Sequence, residues 1–111
     1  MDNIADLFSG ARQLAHSIVE HEVFARYREA KAKMEAQPDL AERLERLRML
    51  EREFSQGGKP MSEKQVQIIQ NEFADIKNRP EVVEFLSAEG QFMRLINDIQ
   101  DVIQKVLNNN L

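Results

Sequence analysis

From Pro80 to Leu107 the chain carries no strong break signal, and its apolar residues keep one spacing: Val82, Phe85, Leu86, Phe92, Leu95, Ile96, Ile99, Val102, Ile103, Val106 and Leu107. Steps of three and four put these side chains on one face of an α-helix. Pro80 suits the first helical position, and "NNN" at 108 to 110 ends the segment. A helix of about 28 residues is roughly 42 Å long at 1.5 Å per residue. A globule of 111 residues has a radius of gyration of only about 13 Å, hence a diameter of about 35 Å. The helix is therefore as long as the domain or longer. Its far end, with Ile99, Ile103 and Val106, needs a cover, and a second subunit is the simplest one.

The same segment has a flaw. In "EFLSAEGQFMRLINDI", 84 to 99, Glu89 falls on the apolar face with Gly90 beside it. A buried carboxylate without a partner costs several kcal/mol. Glu89 is thus expected either to pair, with Arg94, Arg26 or Arg28, or to lie at the edge of the stripe. Gly90 costs about 1 kcal/mol relative to alanine in a helix interior. It marks a close approach of another helix or is merely tolerated. With Phe92, Ile96, Ile99, Ile103 and Val106, these two residues form the candidate interaction surface.

Four shorter helical stripes precede this one. Ile4, Leu7, Phe8, Ala11, Leu14, Ala15 and Ile18 fit an amphipathic helix capped from Asp2 or Asn3. Val23, Tyr27, Ala30 and Met34 have helical spacing but a different phase, which predicts a break at Val19 to Glu22. Pro38 and Asp39 open a third helix with Leu40, Leu44, Leu47 and Phe54 inward. "SQGGKPMS" is the only true loop; it is short, so its flanking helices should form an antiparallel hairpin. Ser62 and Gln65 make a capping box for a fourth stripe, Val66, Ile69, Phe73 and Ile76, which "NRPE" stops. The expected fold is all-α: an antiparallel bundle of four to five helices with a long C-terminal helix, in a single domain over 1–111.

Composition narrows the function. The chain has no cysteine, so it has no disulfide, thiolate metal site or cysteine nucleophile. With a net charge of −4 and both signs dispersed, it offers no footprint for a nucleic-acid backbone. "MDNIADLFSG" lacks the basic and apolar regions of a secretory signal, and no run reaches the roughly 18 apolar residues of a membrane span. A cytoplasmic protein without membrane insertion is expected.

Catalysis finds no set of participants. "QGGKPMS" lacks the spacing of a phosphate-binding loop, and no serine has a nucleophile-elbow context. His16 and Glu20 are one turn apart, but a metal needs further ligands, and no Glu-x-x-His pair occurs. No enzyme activity, cofactor or metal is expected. His21, at the inferred break, is read as solvated. The one basic cluster, "RYREAKAK", presents Arg26, Arg28, Lys31 and Lys33 around Tyr27. Such a face can touch RNA phosphates, which is the alternative function. Glu20, Glu22 and Glu29 lie in or beside it, and a helical charge run is usually a solvated face.

The order of these features resembles the YlbF/YmcA family of small helical bacterial proteins. The resemblance is carried by "ARQLAHSI" (11 to 18), "EHEVFARYREAKAKMEAQPDL" (20 to 40) and "RPEVVEFLSAEGQFMRLINDIQDVIQKVL" (79 to 107). It implies a non-enzymatic regulatory protein that is dimeric or associates with relatives, found mainly in Gram-positive bacteria. Better-known members support competence, biofilm formation and sporulation, and work with a membrane-associated endoribonuclease in mRNA maturation. Some of them hold iron–sulfur clusters through cysteines, which this chain lacks. The expected partners are a second copy of the chain and other proteins, including family relatives, rather than nucleic acid.

Overall fold

The computed structural model describes residues 3–111. Five α-helices follow in order: α1 (Ile4–Val19), α2 (Glu22–Glu35), α3 (Pro38–Phe54), α4 (Glu63–Ala74) and α5 (Pro80–Asn109). The fold is all-α, as the stripes predict, and the helices pack against one another; no strand occurs among the described residues.

The punctuation works for local reasons. Asn3 stands at the N-cap of α1 without a capping side-chain hydrogen bond, and Asp2, the other expected cap, lies outside the described residues. The α1–α2 break falls at the phase change, with His21 N–H donating to the Ile18 carbonyl at 3.0 Å. Pro38 and Pro80 each begin a helix, where the missing N–H has no intrahelical partner to lose. Between α3 and α4 the loop makes one 3-10 turn, Gln56–Gly58, with φ of 83° at Gly57 and 69° at Gly58. Only glycine adopts such angles without steric cost, and the turn lets α3 and α4 pack as a hairpin.

Ser62 opens α4 as a full capping box: its Oγ accepts from Gln65 N–H at 3.2 Å, while Gln65 Oε1 accepts from Ser62 N–H at 3.0 Å. Ser62→Ala leaves the Gln65 N–H without this acceptor and is expected to lower unfolding free energy by about 1 kcal/mol. Chemical denaturation reads this directly as a lower midpoint at unchanged slope.

The ends of two helices differ from the simplest reading of the stripes. Ile76 continues the α4 stripe in sequence, yet α4 stops at Ala74 and Ile76 sits in the following turn, fully buried. The turn precedes Pro80, whose ring disfavours helix in the residue before it. At the other end α5 includes the first two terminal asparagines, reaching 30 residues, and Asn110 Nδ2 donates to the Val106 carbonyl at 2.8 Å.

The chain divides into two compact units: Met1–Glu29 with Ala88–Leu111, and Ala30–Ser87. The second unit holds a conventional core of Ala30, Met34, Leu40, Leu44, Leu47, Ile76, Val82 and Phe85. Its surface is laced by ion pairs, Arg43 to Asp75 at 2.6 Å and Arg46 to Glu72 at 3.5 Å among them. Exposed pairs of this kind contribute under about 1 kcal/mol each, so the apolar core decides this unit's stability. In the first unit only Ala88 is buried among the described residues.

Candidate interaction surface

The first unit is made of α1, the beginning of α2 and the later part of α5, and its best packing is a ring cluster. Tyr27 stacks on Phe92 with centroids 5.1 Å apart and planes 11° off parallel. Phe24 meets Phe92 edge-on at 5.5 Å and 63°. All three rings are half-buried. Contacts of this geometry add about 0.5–1.5 kcal/mol beyond area burial. Phe92 is therefore anchored within the chain, and only its remaining surface is open to a partner.

Further along α5 the apolar face loses its cover by degrees. Leu95, Ile96 and Ile99 are half-buried, and every residue from Asp101 onward is exposed. Ile103 is 49% exposed and Val106 56%. Met93, Val102 and Leu107, which the candidate set did not include, are exposed to a similar degree. On α1 the large side chains Ile4, Leu7, Phe8, Leu14 and Val19 are exposed as well, Leu7 by 70%. Their stripe reads as core-facing in sequence, but α1 contains no buried residue. Periodicity tells which side chains share a face; it does not tell whether anything covers that face. Contiguous apolar exposure beyond a few hundred Å² is unusual for a monomer and marks interaction sites.

Glu89 is half-buried and has a polar or charge interaction within the chain. Gly90 requires a correction. It is exposed, and a Cβ built on it meets no atom within 4 Å, so no helix of this chain approaches there. The reason is angular: at 3.6 residues per turn, Gly90 points about 160° around the helix from Phe92 and about 180° from Ile99. It belongs to the opposite face. Gly90→Ala is accordingly expected to raise stability by roughly 0.5–1 kcal/mol through helix propensity alone, read as a small rise in Tm.

Three of the four basic residues of α2 meet a carboxylate, and the fourth lies over a ring. Arg26 is ion-paired with Glu22, Lys31 with Glu35 at 3.8 Å and Lys33 with Glu84 at 3.4 Å. The Arg28 guanidinium lies 5.8 Å from the Phe24 ring centroid. All four side chains are exposed.

His16 and Glu20 are exposed, and among the described residues no group of three or more His, Asp or Glu is placed to hold a metal ion. His21 has a structural duty: its Nδ1 accepts from Val23 N–H at 3.1 Å, capping the start of α2. In the second unit an open cleft of about 640 Å³ is lined by Lys33, Gln37, Asp39, Arg79 and Glu81 with their neighbours. There Arg79 donates to Gln37 Oε1 at 3.3 Å and Gln37 Nε2 donates to Glu81 Oε1 at 2.8 Å. This relay fastens the start of α5 to the α2–α3 corner, and Glu81 Oε2 is buried without a hydrogen bond.

One family model, described as control of competence regulator ComK, YlbF/YmcA, matches residues 7–108. The chain belongs to the YlbF/YmcA family. The match takes in α1 from Leu7 onward and α5 as far as Asn108, so the exposed side chains other than Ile4 and Leu111 lie within the family's own extent. The family's description is regulatory rather than enzymatic. No match was found among curated proteins or among solved structures. Among the described residues no helix is long and apolar enough to cross a membrane.

Proposed function

We propose that this YlbF/YmcA-family chain is a non-enzymatic regulatory protein that works by contact, self-associating through the later part of α5 and docking other proteins, family relatives among them. The observation that supports this most is the uncovered face of Val102, Ile103, Val106 and Leu107 in a unit with almost no buried core. Burying a side chain of this kind contributes about 1.5–3 kcal/mol relative to leaving it exposed, so several together favour association. The family's regulatory description supports the same reading, and the extent of the match supports taking 1–111 as one domain. RNA processing, competence, biofilm and sporulation control are the contexts in which such a role fits.

The test is the molar mass of the purified chain by sedimentation equilibrium from low to high micromolar concentration. A mass above that of one chain is expected. The mass of one chain, 12.9 kDa, across the whole range would end the self-association reading.

A further inference from the structure

We infer that His21 is a proton-operated cap: its neutral imidazole holds the first turn of α2, and protonation releases that turn and loosens the ring cluster on Phe92. Such a cap works within one chain and needs no self-association.

The geometry is that of an N-cap. His21 directly precedes α2, and its carbonyl accepts the first helical bond, from Ala25 N–H at 3.1 Å. The amides of Glu22, Val23 and Phe24 have no carbonyl one turn back within the helix. Val23 N–H donates to His21 Nδ1 at 3.1 Å instead, the role that a serine or aspartate oxygen fills at other helix starts. An Nδ1 that accepts carries no proton, so the ring hydrogen is on Nε2. Helices α1 and α3 begin without a side-chain cap, and α4 begins with the Ser62 hydroxyl, which keeps its acceptor lone pairs through the neutral pH range.

A proton on Nδ1 turns the acceptor into a donor facing Val23 N–H, and it places a cation at the positive end of the α2 dipole. Both effects drive the ring away. Glu20 and Glu22 flank His21, Glu22 being paired with Arg26, and α1 ends two residues earlier with its negative dipole end. These groups can receive the imidazolium. Among the described residues the His21 side chain has no other hydrogen bond, ion pair or ring contact to hold it, and it is exposed to protons from solvent. Histidine changes charge between about pH 5 and 8. The freed turn carries Phe24, and Tyr27 follows one turn later; both rings meet Phe92. Acid therefore slackens the best packing of α2 on α5 within the first unit.

The test is nuclear magnetic resonance on the wild-type chain, His21→Asn and His16→Gln at one protein concentration. His21→Asn keeps a side-chain acceptor that does not titrate and leaves every other titrating group in place. His16→Gln removes the other histidine. At pH 8 the wild-type His21 ring is expected to show the Nε2–H tautomer. Between about pH 8 and 5 the protection of the Val23 amide from exchange, corrected for the intrinsic rate, is expected to fall about five-fold in the wild type and in His16→Gln. It should stay level in His21→Asn. Tyr27 is the chain's one tyrosine and there is no tryptophan, so the tyrosine band in near-ultraviolet circular dichroism reports on the cluster and should follow the same titration. An Nδ1–H tautomer at pH 8, or equal pH dependence of Val23 in the wild type and His21→Asn, overturns the cap. A Val23 transition with an unmoved Tyr27 signal overturns its coupling to the rings.

Discussion

The double substitution Ile99→Glu, Ile103→Glu is expected to reduce the protein to single chains at concentrations where the wild type associates. Ile103 is half-exposed and Ile99 half-buried, so both contribute surface that a second subunit can cover. Each new carboxylate would have to lose its hydration inside an apolar contact, at several kcal/mol. Since about 1.4 kcal/mol is tenfold in a binding constant, association should weaken by more than about 100-fold. Ile103→Glu alone, at the more exposed site, separates the two effects: it should weaken association while leaving the helical signal intact. An unchanged mass in the double variant would move the interface off this stretch of α5.

The largest loss of folding stability is expected from Phe85→Ala. Phe85 is 3% exposed, in the core with Val82, and the Arg48 guanidinium lies 5.4 Å from its ring centroid. Removing the ring loses its transfer free energy, leaves a cavity that α5 cannot collapse into, and deprives the cation of its aromatic surface. Together these should cost about 3–5 kcal/mol. For a chain of this size the melting temperature should fall by roughly 10 °C or more. Val83→Ala, two positions away on the exposed side of the same helix, should change stability by no more than about 0.5 kcal/mol. Both are to be compared at one protein concentration, because association itself stabilises the folded chain by mass action. Equal melting temperatures for the two variants would contradict the core assignment.

Much of the fold is legible before any coordinates. Pro38, Pro80, the Gly57–Gly58 turn and the Ser62–Gln65 box act through local sterics and hydrogen bonds spanning a few residues, so the residues themselves announce them. The break between α1 and α2 is visible for the same reason, as a change in helical phase. Ile76 was harder. Its spacing assigns it to α4, and only the turn toward Pro80 shows that burial continues after the helix has stopped.

The candidate surface was legible in part. The length of the last stripe points to exposure at Ile103 and Val106, but the exposure of Leu7 and Phe8 is not legible, because an amphipathic stripe looks the same whether its face is covered or open. Gly90 shows the converse. It stands beside a carboxylate in an apolar run, yet simple rotation along the helix carries it to the far side.

The class of fold, a count of four to five helices, most of their ends and the family resemblance follow from residue order alone, since each depends on periodicity and on residue types a few positions apart. Which stripes become core is set by tertiary packing. Burial depends on segments distant in the chain coming together. That happens for Leu40, Leu44, Val82 and Phe85, and does not happen for Leu7, Phe8, Ile103 and Val106.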